Sequence, residues 1–254
     1  MTSNVDRQAV TVATAGPYEL GAGEPAEAAS GAPVIDLTDP FTAHRLKPRL
    51  RGWLHVAATP VALAAGLLVA GHVTSAAGRT GALIFLVSSV LLFGISGLFH
   101  RFNWSVATYR LLRRIDHSNI YLFIAASYTP YALCLLSGAS RASLLALVWT
   151  TAVAGLLFRT LWLSAPRRLY TLMYVLMAGS AAGWLPQFLH QTNIGIFSLM
   201  LGSGVAYVIG AVVYAFRWPD PSPRWFGYHE VFHSCTVAAF VLQLIAMSLV
   251  ITAP

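Results

Sequence analysis

Charge is scarce in this chain. Asp, Glu, Lys and Arg make up 10 % of its 254 residues, where about a quarter is usual for a soluble domain. Acids are scarcest of all: beyond residue 52 only Asp116, Asp220 and Glu230 occur, against eleven Arg. Cysteine is nearly missing too. Cys134 and Cys235 both fall in apolar runs, which excludes a disulfide framework and a four-cysteine zinc site. No basic start and apolar core precede a small-residue cleavage position, so a signal peptide is not expected. What the chain has instead is apolar side chains, 57 % of the total. That balance predicts a multi-span membrane protein. An arginine excess set in such apolar text reads as an orientation signal and excludes a nucleic-acid-binding face.

Residues 1–44 are rich in Ala, Gly, Pro, Ser, Thr and acids, with no sustained period, and are expected to form a disordered tail. Residues 45–254 are expected to form one transmembrane domain. Lys47, Arg49 and Arg51 followed by Trp53 make a basic collar and an interfacial aromatic ahead of a first span. Seven apolar runs follow, at 54–74, 81–100, 117–137, 142–163, 169–189, 194–216 and 230–252, each near the roughly 20 residues that cross a hydrocarbon core. The predicted fold is an all-α membrane protein, a seven-transmembrane helix bundle. The stretch 101–115 sets Trp104, Tyr109, Leu111 and Leu112 beside Arg110, Arg113 and Arg114, the pattern of a separate interfacial helix. Gly179, Gly183, Gly202, Gly204 and Gly210 are candidates for close helix packing. With a cytoplasmic N-terminus, fourteen Lys and Arg fall on the inner side and only Arg79 and Arg141 on the outer. The positive-inside rule therefore predicts the N-terminus cytoplasmic and the C-terminus outside.

The last run opens on Tyr228-His229-Glu230-Val231-Phe232-His233. Two His four apart project from one helix face, a two-point metal site. Ser96 and His100 close the second run, and Asp116 with His117 opens the third. The predicted topology brings all three places to the same depth, near the cytoplasmic interface. Asp116 is a functional candidate in its own right, because a carboxylate at membrane depth is costly unless it is paired. His100, His229 and His233 with water as fourth ligand would form an open tetrahedral zinc site of the catalytic kind. Asp116 would hold the water and Ser96 would hydrogen-bond the carboxylate. Zinc acidifies a water and polarises a carbonyl, which suits amide or ester hydrolysis. Alone, His229 and His233 could be interfacial histidines at a helix start; His100 and Asp116 on the same side favour the metal reading. His117 points roughly 100° away from Asp116 on a helix, a packing or hydrogen-bonding position. His55, His72 and His190 sit near span ends and read as solvated or interfacial. His229 to His233 also matches the H-E-x-x-H pattern of zinc metalloproteases, with Glu230 as base, although no further His, Asp or Glu follows to supply a third ligand downstream.

Taken in order, Ser96-Gly97-Leu98-Phe99-His100, Asp116-His117-Ser118-Asn119-Ile120-Tyr121, Ile124-Ala125-Ala126-Ser127-Tyr128-Thr129-Pro130 and His229-Glu230-Val231-Phe232-His233 resemble the bacterial hemolysin III family. That family is similar to the progestin and adiponectin receptors and, more distantly, to alkaline ceramidases. The resemblance covers about 45–252. It implies a seven-helix bundle with zinc held by His100, His229 and His233, an aspartate at Asp116 that holds the zinc-bound water, and a serine at Ser96 in the same motif. Many members carry a further His where this chain has Gln243. Receptor relatives often have Gln at the position of Glu230, which argues against Glu230 as an obligatory base.

The leading expectation is a zinc-dependent hydrolase of lipid amides or esters, ceramidase-like, in the plasma membrane as a multi-pass protein, with membrane lipids as its partners. The alternatives are a receptor or regulator of membrane lipid composition with structural zinc, and a pore-forming hemolysin. Largely apolar helices with no polar run along one face give the last little support.

Overall fold

The structure is a computed structural model that describes residues 47–252; the tail expected over 1–44 lies outside the described residues. Every regular element in it is helical: α1 Trp53–His72, α2 Ala76–Arg101, α3 Val106–Leu135, α4 Gly138–Leu161, α5 Arg167–Gly179, a 3-10 turn Ser180–Trp184, α6 Leu185–Gln191, α7 Ile194–Phe216 and α8 Tyr228–Ile251. Short polar side chains start several of them. Ser75 Oγ accepts the Gly78 N–H at 3.1 Å, Ser105 Oγ that of Thr108 at 3.3 Å, and Asn193 Oδ1 that of Ile196 at 3.0 Å. Each satisfies a backbone donor left free in a first turn. In α8 the roles are reversed, with the Glu230 carboxylate reaching back to the Gly227 N–H at 2.8 Å.

Six helical segments are long and apolar enough to cross a membrane: α1, α2, α4, the continuous stretch Arg167–Gln191, α7 and α8. The longest helix, α3, is not one of them, because Arg110, Arg113, Arg114, Asp116, His117, Ser118 and Asn119 dilute its first half. Its neighbours explain how it can be so polar. α3 packs against α2, α4, α5, α6 and α8 and buries Asp116, His117, Ser118, Asn119, Ser127 and Thr129. Buried polar groups are tolerated when they are paired: Asn119 Nδ2 donates to Leu91 O at 3.2 Å, Ser127 Oγ to Phe123 O at 2.8 Å, and Thr129 Oγ1 to Ala125 O at 2.9 Å. Around this helix Phe85, Phe93, Phe123 and Phe240 form an aromatic core, with Phe93 edge-on to Phe240 at 5.0 Å. Val61, Leu67 and Leu68 of α1 and Val205, Ile209 and Val212 of α7 are exposed, which is how apolar side chains are placed when the solvent is hydrocarbon.

Three local expectations change. The stretch 101–115 is not a separate interfacial helix: Arg101 ends α2, and Ser105 caps a helix that runs unbroken from Val106 past Asp116 to Leu135. The run 169–189 is present as the span Arg167–Gln191 but is not α-helical throughout: a 3-10 turn precedes α6, where Pro186 in the first turn has no N–H to continue the preceding ladder. Among the glycines, Gly210 permits a close approach, since an added Cβ would lie 3.0 Å from Cys235 Cβ, whereas one at Gly179, Gly183 or Gly204 would meet nothing within 4 Å. The tightest glycine contact is instead Gly155 of α4, whose bare Cα receives the ring of Tyr121.

Candidate metal centre

The last turn of α2 carries His100, and the first two turns of α8 carry His229 and His233. One ring nitrogen from each lies within 4.8 Å of the others, and all three residues are buried. His100 Nε2 and His229 Nε2 are 3.2 Å apart. Two nitrogens bound at about 2.0–2.1 Å to one tetrahedral metal would stand roughly 3.3 Å apart, so this edge already has the right length. His233 Nδ1 is buried with no hydrogen-bond partner, an orphan of the kind that calls for an explanation. Three imidazoles without a thiolate suit zinc, and also copper, iron or nickel. The residues present therefore fit a bound metal ion.

Asp116 stands beside this group rather than within it. Its Oδ2 is 3.7 Å from His100 Nε2 and 3.6 Å from His117 Nδ1, and Ser96 is buried one turn before His100. The four candidates from α2 and α3 and the two from α8 thus meet at one end of the bundle, with His117 outside the three-histidine group. That ring flanks Asp116 from the other side, its Nδ1 donating to Arg113 O at 2.9 Å while its own carbonyl accepts the Tyr174 hydroxyl at 3.0 Å.

His55 corrects a sequence expectation. It is neither solvated nor interfacial but 3 % exposed, stacked face to face on His233 with centroids 3.7 Å apart and edge-on to Phe93 at 5.0 Å. The depth argument that selected His100 applies equally to a histidine near the start of α1, so its position carried the signal. His72 and His190 are exposed, as expected.

Glu230 is 1 % exposed, and both its carboxylate oxygens are engaged. Oε1 accepts from Arg51 Nε, and Oε2 accepts from Gly227 N–H. A carboxylate held in this way does not serve as the base of an H-E-x-x-H protease, which removes that reading. Arg51 is correspondingly an ion-pair partner more than a collar charge, its side chain 15 % exposed. Arg159, also read as an orientation charge, is fully buried; its Nη1 donates to Trp162 O and Leu163 O, each at 3.0 Å, and closes the end of α4. Gln243 Nε2 donates to Ser127 O at 3.0 Å and so ties α8 to α3.

Comparison with known proteins agrees with these motifs. Residues 43–244 match the family described as Haemolysin-III related. The chain is 35 % identical over 137 residues to Hemolysin-3 of Bacillus cereus, covering 52 % of this chain and 59 % of that protein. It is 34 % identical over 140 residues to the Hemolysin-3 homolog of Bacillus subtilis (strain 168), covering 53 % and 62 %. The matched segments therefore span about three-fifths of these relatives' length. With its apolar helices this is a multi-pass bacterial membrane protein, and it belongs to the haemolysin-III related family.

Proposed function

We propose that the chain is a seven-span membrane protein with a cytoplasmic N-terminus, in which His100, His229 and His233 hold zinc and the centre hydrolyses a lipid amide or ester. The observation that carries this reading is the convergence of three buried imidazoles with a carboxylate 3.7 Å from one of them. α3 supplies the seventh span, its polar half sheltered by its neighbours. Arg49, Arg51, Arg101, Arg110, Arg113, Arg114, Arg167, Arg168, Arg217 and Arg224 cluster in the segments at the metal end, whereas Arg79 and Arg141 begin helices at the other. That asymmetry supports a cytoplasmic metal end.

When bound, zinc supplies Lewis acidity and acidifies a water. The protein's own groups then have distinct tasks. Asp116, beside His100, accepts a proton at its carboxylate and orients the attacking group. Ser96 fixes the carboxylate rotamer. The headgroup depth of the site and its apolar surroundings favour a lipid whose amide or ester bond sits at the membrane interface. A regulator with structural zinc is the second reading, favoured by the burial of all three imidazoles. A pore gains no support, because the polar side chains of α3 are buried against its neighbours, and Asn119, Ser127 and Thr129 are hydrogen-bonded there.

The test is elemental mass spectrometry of the detergent-purified protein, followed by turnover of an N-acyl lipid. About one zinc per chain is expected, lost in His233→Ala. Asp116→Asn should keep the zinc and lose hydrolysis by about 100-fold or more, the scale of general acid–base catalysis. Zinc without turnover in either protein would favour the regulator. No zinc in the wild type, even after it is supplied, would overturn the site.

A further inference from the structure

We propose that the stretch Pro48 to Gly52 is a brace that sets the spacing between His100 and the two α8 histidines, with Arg51 and Glu230 as its positioning residues. This inference rests on the reading of the three histidines as a metal centre.

The ligands come from helices that do little to hold each other. α2 and α8 meet over a short stretch, far less than α2 meets α1 and α3 or α8 meets α7. The brace touches both. Arg49 N–H donates to Arg224 O at 3.0 Å and Leu50 N–H to Trp225 O at 3.1 Å, pinning it to the segment that leads into α8. Arg49 also lies over the Trp225 ring, 4.4 Å from its centroid. The next residue, Arg51, donates Nε to Glu230, which sits on α8 between His229 and His233. The other oxygen of Glu230 holds the Gly227 N–H at 2.8 Å, so one carboxylate fixes both the start of α8 and its link to the brace. A carboxylate in a first helical turn is favourable in its own right. Gly52, with φ +83°, then presses the chain against the end of α2, where an added Cβ would lie 3.0 Å from His100 Cβ and 3.1 Å from Arg101 N. Only glycine takes that backbone conformation without strain and also leaves room for His100. Two adjacent residues thereby reach the two ligand-bearing helices from one side.

Groups behind metal ligands of this kind usually govern affinity more than fold, and their loss costs about 10- to 100-fold in metal binding. Glu230 on this account is in the H-E-x-x-H pattern as an anchor. The experiment uses full-length protein in detergent, with zinc dissociation constants from competition with a chelating dye and melting of the zinc-stripped protein measured alongside. Arg51→Met and Glu230→Gln should each weaken zinc binding about 10- to 100-fold. Arg51→Lys should recover most of it, and the double variant Arg51→Met/Glu230→Gln should be no worse than the weaker single. Wild-type affinity in both single variants would overturn the brace while leaving the metal centre intact. So would losses that merely follow the melting of the stripped protein and that Arg51→Lys does not rescue. Absence of zinc from the wild type would instead overturn the metal centre itself.

Discussion

His55 and His233 lie face to face, their ring centroids 3.7 Å apart and their planes within 12° of parallel. Both rings are buried, and neither nitrogen of His55 has a hydrogen-bond partner. The contact therefore works through the ring face, which fixes the plane of the His233 imidazole. His55→Ala should open a cavity against His233 and Phe93 and cost about 2 to 5 kcal/mol. His55→Phe keeps a flat ring in place and should cost less than about 1.5 kcal/mol. Unfolding by denaturing detergent, followed by tryptophan fluorescence, measures both. Equal losses would mean that the nitrogens matter more than the stacking.

Gly155 of α4 leaves room for the ring of Tyr121 of α3, since any Cβ at Gly155 would overlap that ring. Tyr121 is 1 % exposed and has nowhere to move. Gly155→Ala should destabilise by about 1 to 3 kcal/mol through overpacking, and Tyr121→Leu added to it should recover part of the loss. The same unfolding assay, read as a double-mutant cycle, gives the coupling.

Lys47 lies ahead of α1, outside the spans. Burial, together with the nearby Arg51, lowers its amine from the ordinary 10.5 to about 8. Between those values the unfolded chain keeps a proton that the folded chain has released, so stability rises with pH across that window. Below pH 8 the cost of charging the amine is fully present. Melting temperature should rise from pH 8 to pH 10 more steeply in the wild type than in Lys47→Met, and the two slopes should converge below pH 8. Parallel slopes throughout would place Lys47 in a fully hydrated setting.

The clustering of His100, His229 and His233 was legible in the sequence because a candidate metal site needs few residue types at fixed spacings. His229 and His233 share a helix face by periodicity, and only the direction of each span was needed to bring His100 and Asp116 to them. Hydropathy found the helices that face hydrocarbon by the same logic. It misjudged the start of α3, whose arginines resemble a surface segment when read locally; shelter by five neighbouring elements is a tertiary fact that no window of sequence contains. Partners were hidden for a similar reason. Arg51 and Glu230 are 179 positions apart, and a collar of basic residues gives no hint which one turns inward. The glycines failed as guides because a small residue marks an opportunity for contact and not the helix that takes it; Gly179 and Gly183 face open space while Gly155 accepts a tyrosine.

His100 and His229 are separated by 129 positions, and the second lies on a helix synthesised after the other described helices. During synthesis every earlier helix can be threaded into the bilayer while the centre still has a single imidazole to offer. The three-histidine cluster therefore forms only once α8 has docked on the earlier helices. A chain cut short before α8 would keep only His100 of the three, so the cluster is assembled from the two ends of the described bundle and from neither alone.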